Sequence, residues 1–202
     1  MTRRRNPPPG ADSWNKVTAR LRESAHLREE LPTERETVQH AVIELVGRVL
    51  GKRVLEIGAG SSAIARSLAQ QGAEVVVTPD LLESAVTVRG PFDVITAAHC
   101  LDDSPDPEAL LRVAAKLLHP RGRMVLALEH PWREVREGAA PYAVLATLPA
   151  LLAALRTAGL RLVEAAEPKP SGTTAGEKPA LRHIVLLAER VGRRTRNRGT
   201  RR

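Results

Sequence analysis

Apolar positions along the 202-residue chain recur in two rhythms, one helical and one extended. Ser13 caps a first helical pattern carrying Trp14, Val17, Leu21 and Leu27. Pro32-Thr33 breaks and recaps it, with Glu36 completing a capping box. Val38, Val42, Leu45, Val46 and Val49 then mark one face of a second helix running to about Leu50. Beyond it, short β-branched runs at residues 54–57, 75–78, 94–97 and 124–128 alternate with helical stretches at 62–71 and 107–118. A helix at 145–158 and two last strands, at 160–165 and 183–187, complete the pattern around a Pro/Gly/Thr-rich loop. The alternation predicts an α/β domain over 51–190, a mostly parallel sheet wrapped by helices. A helical cap over 13–50 and a Pro/Arg-rich lead over 1–12 precede it, and an Arg-rich tail over 191–202 follows. Both ends are expected to be disordered. No internal repeat interrupts this order.

Composition narrows the picture. An apolar content of 43% suffices for one core of this size. The single cysteine, Cys100, excludes an intrachain disulfide framework and any multi-cysteine zinc site, and reads as a small apolar residue. Aromatic residues make up only 2%, too few for a base-stacking platform. The longest apolar stretch, 142–155, holds Thr147 and Pro149 and is too short to span a bilayer. The basic N-terminus has no apolar core of a secretory signal, so a soluble, cytoplasmic protein without membrane insertion is expected.

The formal charge of +8 changes meaning once it is located. Ten of the 31 cations lie at the two ends, as Arg3, Arg4, Arg5, Arg190, Arg193, Arg194, Arg196, Arg198, Arg201 and Arg202. The remainder carries 21 bases against 23 acids and is nearly neutral. The ends either grip RNA, an acidic partner or an anionic surface weakly, or are solvated without a partner. Oligomeric state is not readable from these features.

The chemistry concentrates in Val54-Leu-Glu-Ile-Gly-Ala-Gly-Ser-Ser-Ala63. An apolar strand ends in Glu56, and a turn through Gly58, Ala59, Gly60 and Ser61 opens a helix. Two glycines allow tight bending and close approach to a ligand, and the helix N-terminus offers free N–H groups. Asp80, after the next strand, is placed to accept from ribose hydroxyls. Gly58-x-Gly60-x-x-Ala63 satisfies a loose dinucleotide fingerprint, so a nicotinamide cofactor is one reading. Glu56 favours the other, because a carboxylate suits a cationic nucleoside and opposes a pyrophosphate.

Glu-x-Gly-x-Gly resembles motif I of the class I S-adenosylmethionine (SAM) methyltransferases, a Rossmann-like family. Pro91-Phe-Asp-Val-Ile-Thr-Ala-Ala-His-Cys-Leu-Asp-Asp103, followed by Pro107, is similar to the family's motif IV. The segment 117–128 resembles the turn into its fifth strand, and 157–163 the entry to its sixth. A weaker resemblance joins 92–131 and 148–159 to the DREV-type protein-histidine methyltransferases. The resemblance implies SAM as cofactor, held by Glu56, Gly58, Ala59, Gly60, Ser61, Asp80, Ala98 and His99, and methyl transfer to an O or N acceptor on a small molecule or peptide.

Two departures stand out. Ser62 replaces the third motif I glycine. Only eleven residues separate Asp80 from Phe92, where the family fits a helix, a third strand and an adenine-side acid. A crossover helix alone needs about 10–12 residues. Eleven extended residues still reach about 36 Å, enough to cross the sheet. The expectation is a six-stranded sheet without its usual edge strand, with one helical turn near Leu81 and an adenine pocket lacking a wall. That shortfall keeps open a degenerate, non-catalytic binding module.

Acceptor chemistry has three candidate residues, each with a plainer reading. His99 is either a general base or a wall of the cofactor site. Asp102 either holds an acceptor or caps the next helix. His130, near Glu129 and Trp132, is either catalytic or structural. Trp14 and His26 fall in the N-terminal cap, and His40, His119 and His183 read as residues without partners. No spacing of acids or histidines suggests a metal site.

Overall fold

A computed structural model describes residues 34–58, 62–84, 87–102, 104–130, 147–169 and 182–192. The expected helix from Ser13, with Trp14 and His26, lies outside the described residues, as do Trp132, the 170–181 loop and both Arg-rich ends.

Helix α1 (Glu34–Val46) buries Val38, Val42, Leu45 and Val46 on one stripe, and Glu34 and Glu36 complement the dipole in its first turn. It stops earlier than its apolar pattern suggests. Gly47 adopts φ +64°, and its N–H bonds back to Ile43 and Glu44, so the helix ends in a left-handed glycine. Val49 is nonetheless buried, reached from the loop and not from the helix.

The strands are β1 (Arg53–Ile57), β2 (Glu74–Thr78), β3 (Phe92–Ala98), β4 (Leu118–Glu129), β5 (Leu160–Ala166) and β6 (His183–Arg190). Helices α2 (Ser62–Gln70), α3 (Pro107–Leu117) and α4 (Leu148–Thr157) alternate with them. Asp106 and Thr147 cap the last two helices by accepting from the N–H groups of Ala109 and Ala150. The sheet order is β2-β1-β3-β4-β6-β5, with β1 to β4 parallel and β6 antiparallel to both its neighbours.

Strand parity separates two apolar layers. Val54, Val94, Val125 and Val185 face α1 and α2, while Leu55, Ile95, Leu126 and Leu186 face α3 and α4. The result is the expected three-layer sandwich. Strand β4 begins six residues earlier than the apolar run 124–128, because Leu118 already pairs with Phe92 across a register shift.

The short crossing after β2 behaves as its length requires. Among the described residues no strand lies outside β2, which is the sheet edge, and Val77 is 53% exposed. Residues 81–84 form a single turn, with the Ser84 N–H bonded to the Asp80 carbonyl. Leu81, fully buried, pins this crossing to the core, with Val88 packed against it. A groove of about 450 Å³ beside Val76 and Val77 marks the open edge.

Leu111 is fully buried between α3 and the sheet. Its truncation to alanine is expected to cost about 2–5 kcal/mol in urea unfolding. Val163→Ala, at an exposed site, is expected to stay within about 0.5 kcal/mol of the parent.

Candidate active site

A cleft of about 800 Å³ opens at the carboxyl ends of β1, β2 and β3, where the strand order reverses from β1 toward β3. Ile57 and Gly58 form its floor, Asp80 and Leu81 one side, and Ala98, His99 and Cys100 another. Glu34 and Val38 of α1, Ile64 of α2 and His183 of β6 close it further. Cys100 is half-buried and forms part of the cleft wall.

Gly58 carries φ +119°, a conformation side chains rarely adopt. A Cβ there would meet Cys100 Cβ at 3.5 Å and the Ala98 carbonyl at 3.6 Å. Gly58 therefore presents bare backbone to the cleft. Ala59, Gly60 and Ser61 lie outside the described residues.

Glu56 lies one residue beneath that floor and is only 3% exposed. Burial pushes its pKa from 4.5 up to about 7, against the opposing effect of a hydrogen bond from the Ala65 backbone. Its second oxygen, Oε2, has no donor among the described residues, and no arginine or lysine there neutralises it. Thr96, its register partner on β3, likewise keeps an unpartnered buried hydroxyl. Both atoms lack a partner among the described residues, and buried polar atoms of this kind suit a ligand that supplies one.

Asp80 is oriented by its own turn. Its Oδ1 accepts from the N–H groups of Leu82 at 2.7 Å and Glu83 at 3.2 Å, while Oδ2 has no partner among the described residues. One oxygen holds the carboxylate in place and the other remains available.

On the acceptor side the structure joins His99 and Asp102. His99 has φ +60°, with its N–H bonded to the Ala127 carbonyl at 2.8 Å. Its Nδ1 lies 3.5 Å from Asp102 Oδ2, which also accepts from the Glu129 N–H at 3.1 Å.

His183, expected to have no partner, meets His99 edge-on with ring centroids 5.0 Å apart. Its Nε2 lies 3.0 Å from Glu34 Oε1. Burial, then the nearby His99 ring, lowers its pKa below 6.5, outweighing Glu34. No local signal marks His183: it reaches the cleft only because β6 pairs antiparallel with β4, setting His183 opposite Glu129.

His130 does not join this group. Its N–H bonds to the Arg182 carbonyl, one step beyond the His183–Glu129 pair, so the pleat turns it to the other face. There it is 6% exposed and its Nε2 lies 3.2 Å from Glu167.

A mostly parallel sheet with an acid one residue before a positive-φ glycine at its switch point places the chain among open α/β folds with a cleft at the carboxyl ends of the strands, and comparison with known proteins is more specific. The profile of the family described as "Methyltransferase domain" matches residues 27–165, so the chain belongs to that family. A ubiquinone biosynthesis O-methyltransferase of Xanthomonas oryzae is 33% identical over 102 residues, covering 38% of this chain and 43% of that protein. The Escherichia coli protein of the same name is 30% identical over 106 residues, covering 40% and 44%. The match thus spans less than half the length of these curated relatives.

Among solved structures, an S-adenosylmethionine-dependent methyltransferase from Mesorhizobium loti superposes with a TM-score of 0.61 at 18% identity, over 76% of this chain and 98% of that one. The 1,6-didemethyltoxoflavin-N1-methyltransferase of Burkholderia thailandensis, solved with S-adenosylhomocysteine, gives 0.57 at 19% identity, over 95% and 93%. These likenesses establish the fold.

The raised pKa of Glu56 has a consequence for stability. A carboxyl that holds its proton more tightly when folded contributes stability that is complete below about pH 4.5 and lost as pH rises through about 7. Glu56→Gln is therefore expected to remove a fall in ligand-free stability between those values. Urea unfolding at a series of pH values measures it, and identical slopes in both proteins would contradict it.

Proposed function

We propose that this chain is a SAM-dependent methyltransferase transferring a methyl group to an O or N acceptor on a small molecule. The observation that carries the reading is the buried Glu56 carboxyl with an unpartnered oxygen beneath a glycine turn at the cleft floor. Family membership, the O-methyltransferase name of the sequence relatives and the N-methyltransferase among the structural neighbours support it. A nicotinamide dinucleotide fits less well, because its pyrophosphate would approach an acid.

The residues present suit SAM. Glu56 would receive the cationic amine of its methionine part, and that charge would favour the ionised carboxyl. Gly58 gives close backbone approach, and Asp80 Oδ2 would accept from ribose hydroxyls. Ile57, Ile64 and Leu81 give the cleft an apolar lining. When bound, SAM supplies an electrophilic methyl group on a sulfonium.

On the acceptor side, His99 would take the proton of a hydroxyl or ammonium acceptor at Nε2, with Asp102 orienting the ring from Nδ1. Asp102 is itself held by the Glu129 N–H. His183, kept neutral near pH 7, would accept or relay without adding a second positive charge beside His99. His130 has no part in this chemistry.

Titration calorimetry with SAM and S-adenosylhomocysteine tests the reading. Binding is expected to tighten as pH rises toward about 7, as Glu56 ionises, and to lose that pH dependence with a tenfold or greater weakening in Glu56→Gln. No heat at millimolar cofactor would end it. His99→Asn is expected to leave cofactor affinity intact while lowering kcat by about 10²-fold for a hydroxyl acceptor.

A further inference from the structure

Side chains from three parts of the chain form one row at the cleft. Asp102 Oδ2 lies 3.5 Å from His99 Nδ1, the His99 and His183 rings meet edge-on at 5.0 Å, and Glu34 Oε1 lies 3.0 Å from His183 Nε2. An acid thus stands at each end, with two imidazoles between. Glu34, His99 and His183 all border the cleft. Glu129, opposite His183 in the sheet, adds to the negative field.

The row is rich in acceptors and poor in donors. Glu34 Oε1 is buried and not in line for a hydrogen bond with the His183 ring. Arg182 comes only within 3.8 Å of the other oxygen, Oε2. The neighbouring carboxylates favour the ring protons on His99 Nδ1 and His183 Nε2. His183 Nδ1 is then a bare acceptor, buried and without a hydrogen bond. Burial, then the nearby His99 ring, favours the neutral form of that ring. His99 Nε2 is a second bare acceptor, on a partly exposed ring. When a ligand displaces water from the cleft, each of these three atoms needs a donor.

The chemistry of the donor is constrained. An ammonium group brings up to three N–H donors and a positive charge that both acids favour. A hydroxyl brings one donor, and a carboxylate or phosphate brings none and is repelled. Among the described residues no three acids, histidines or cysteines are grouped to hold a metal ion, so the cation that fits is one whose charge is carried on several N–H groups. Val38 follows Glu34 by one helical turn and also borders the cleft, giving apolar surface beside the acid. Arg35 borders the cleft too, but stands about 100° round α1 from Glu34.

We propose that the methyl acceptor is a primary alkylamine bound as its ammonium, with Glu34 as the residue that selects it. The proposal rests on the methyltransferase reading above and narrows the O or N acceptor to nitrogen. The ammonium gives one proton to His99 Nε2, and its other two N–H groups go to Glu34 Oε1 and His183 Nδ1. The freed nitrogen lone pair forms the bond to the transferred methyl carbon, breaking the carbon–sulfur bond and leaving its electron pair on sulfur. The product is a methylammonium that keeps one positive charge, and His99 passes its proton to solvent.

The test is titration calorimetry of the full chain with three probes that share one phenylethyl body: phenethylamine, phenethyl alcohol and hydrocinnamate. Each is titrated near neutral pH, where the amine is protonated, with and without S-adenosylhomocysteine. The amine is expected to bind about tenfold or more tightly than the alcohol, and the carboxylate most weakly. Glu34→Gln is expected to abolish that preference, while Glu164→Gln, exposed on β5, keeps it. Because the preference is read on the parent chain, it decides the matter even if Glu34→Gln fails to fold. Alcohol or carboxylate binding as tightly as the amine overturns the proposal, as does a preference that survives Glu34→Gln. So does an amine that gives no heat at millimolar concentration under either condition. A chain that prefers the amine but takes up no S-adenosylhomocysteine keeps its ammonium site and loses the methyltransferase reading. One that takes up S-adenosylhomocysteine and prefers the alcohol keeps that reading and overturns this proposal.

Discussion

The tip of β1 holds a carboxyl group out of water with a partner for only one of its oxygens among the described residues. Glu56 receives one hydrogen bond from Ala65, Oε2 has no donor among those residues, and burial pushes the group toward a pKa of about 7. Such a group destabilises the ligand-free protein near neutrality. A valine at the same place, packed like Val54 against α1 and α2, would carry no such penalty. The acid is retained in a position where stability alone disfavours it, directly under the only part of β1 that meets the cleft. A cation that supplied the missing donor would resolve that conflict between packing and charge.

The rest of the site is arranged around this point by sheet order. Because β1 is flanked by β2 and β3, the residues following all three strands converge on one opening, bringing Asp80 and His99 to opposite sides of Gly58. The antiparallel β6 then adds His183 from a distant part of the chain, and α1 adds Glu34 against it. The pair of imidazoles is asymmetric. His183 is the more deeply set, and its burial beside the His99 ring favours its neutral form.

The abbreviated crossing between β2 and β3 leaves β2 at the open edge of the sheet. Eleven residues cannot provide both a helix and a strand, so β2 is left at the edge and Leu81 does the work of a whole element by filling the core beneath it. Asp80 gains rigidity from the same turn that replaces the missing helix, since its Oδ1 accepts the two N–H groups that start that turn.

Element types, strand sequence and the bend at Gly58 above Glu56 were legible in the sequence, because helix and strand impose different spacings on buried side chains and glycine tolerates a positive φ. The loss of the edge strand was legible too, since chain length is a covalent limit that no packing can relax. The end of α1 was misjudged because Val49 obeys the helical spacing while Gly47 overrules it. What no local pattern contained was the meeting of His183 with His99 and Glu34 and the turning of His130 to the opposite face. These depend on which strands become neighbours and in what register, and a one-residue step in register moves every side chain to the other face of the sheet. Only the folded sheet decides that.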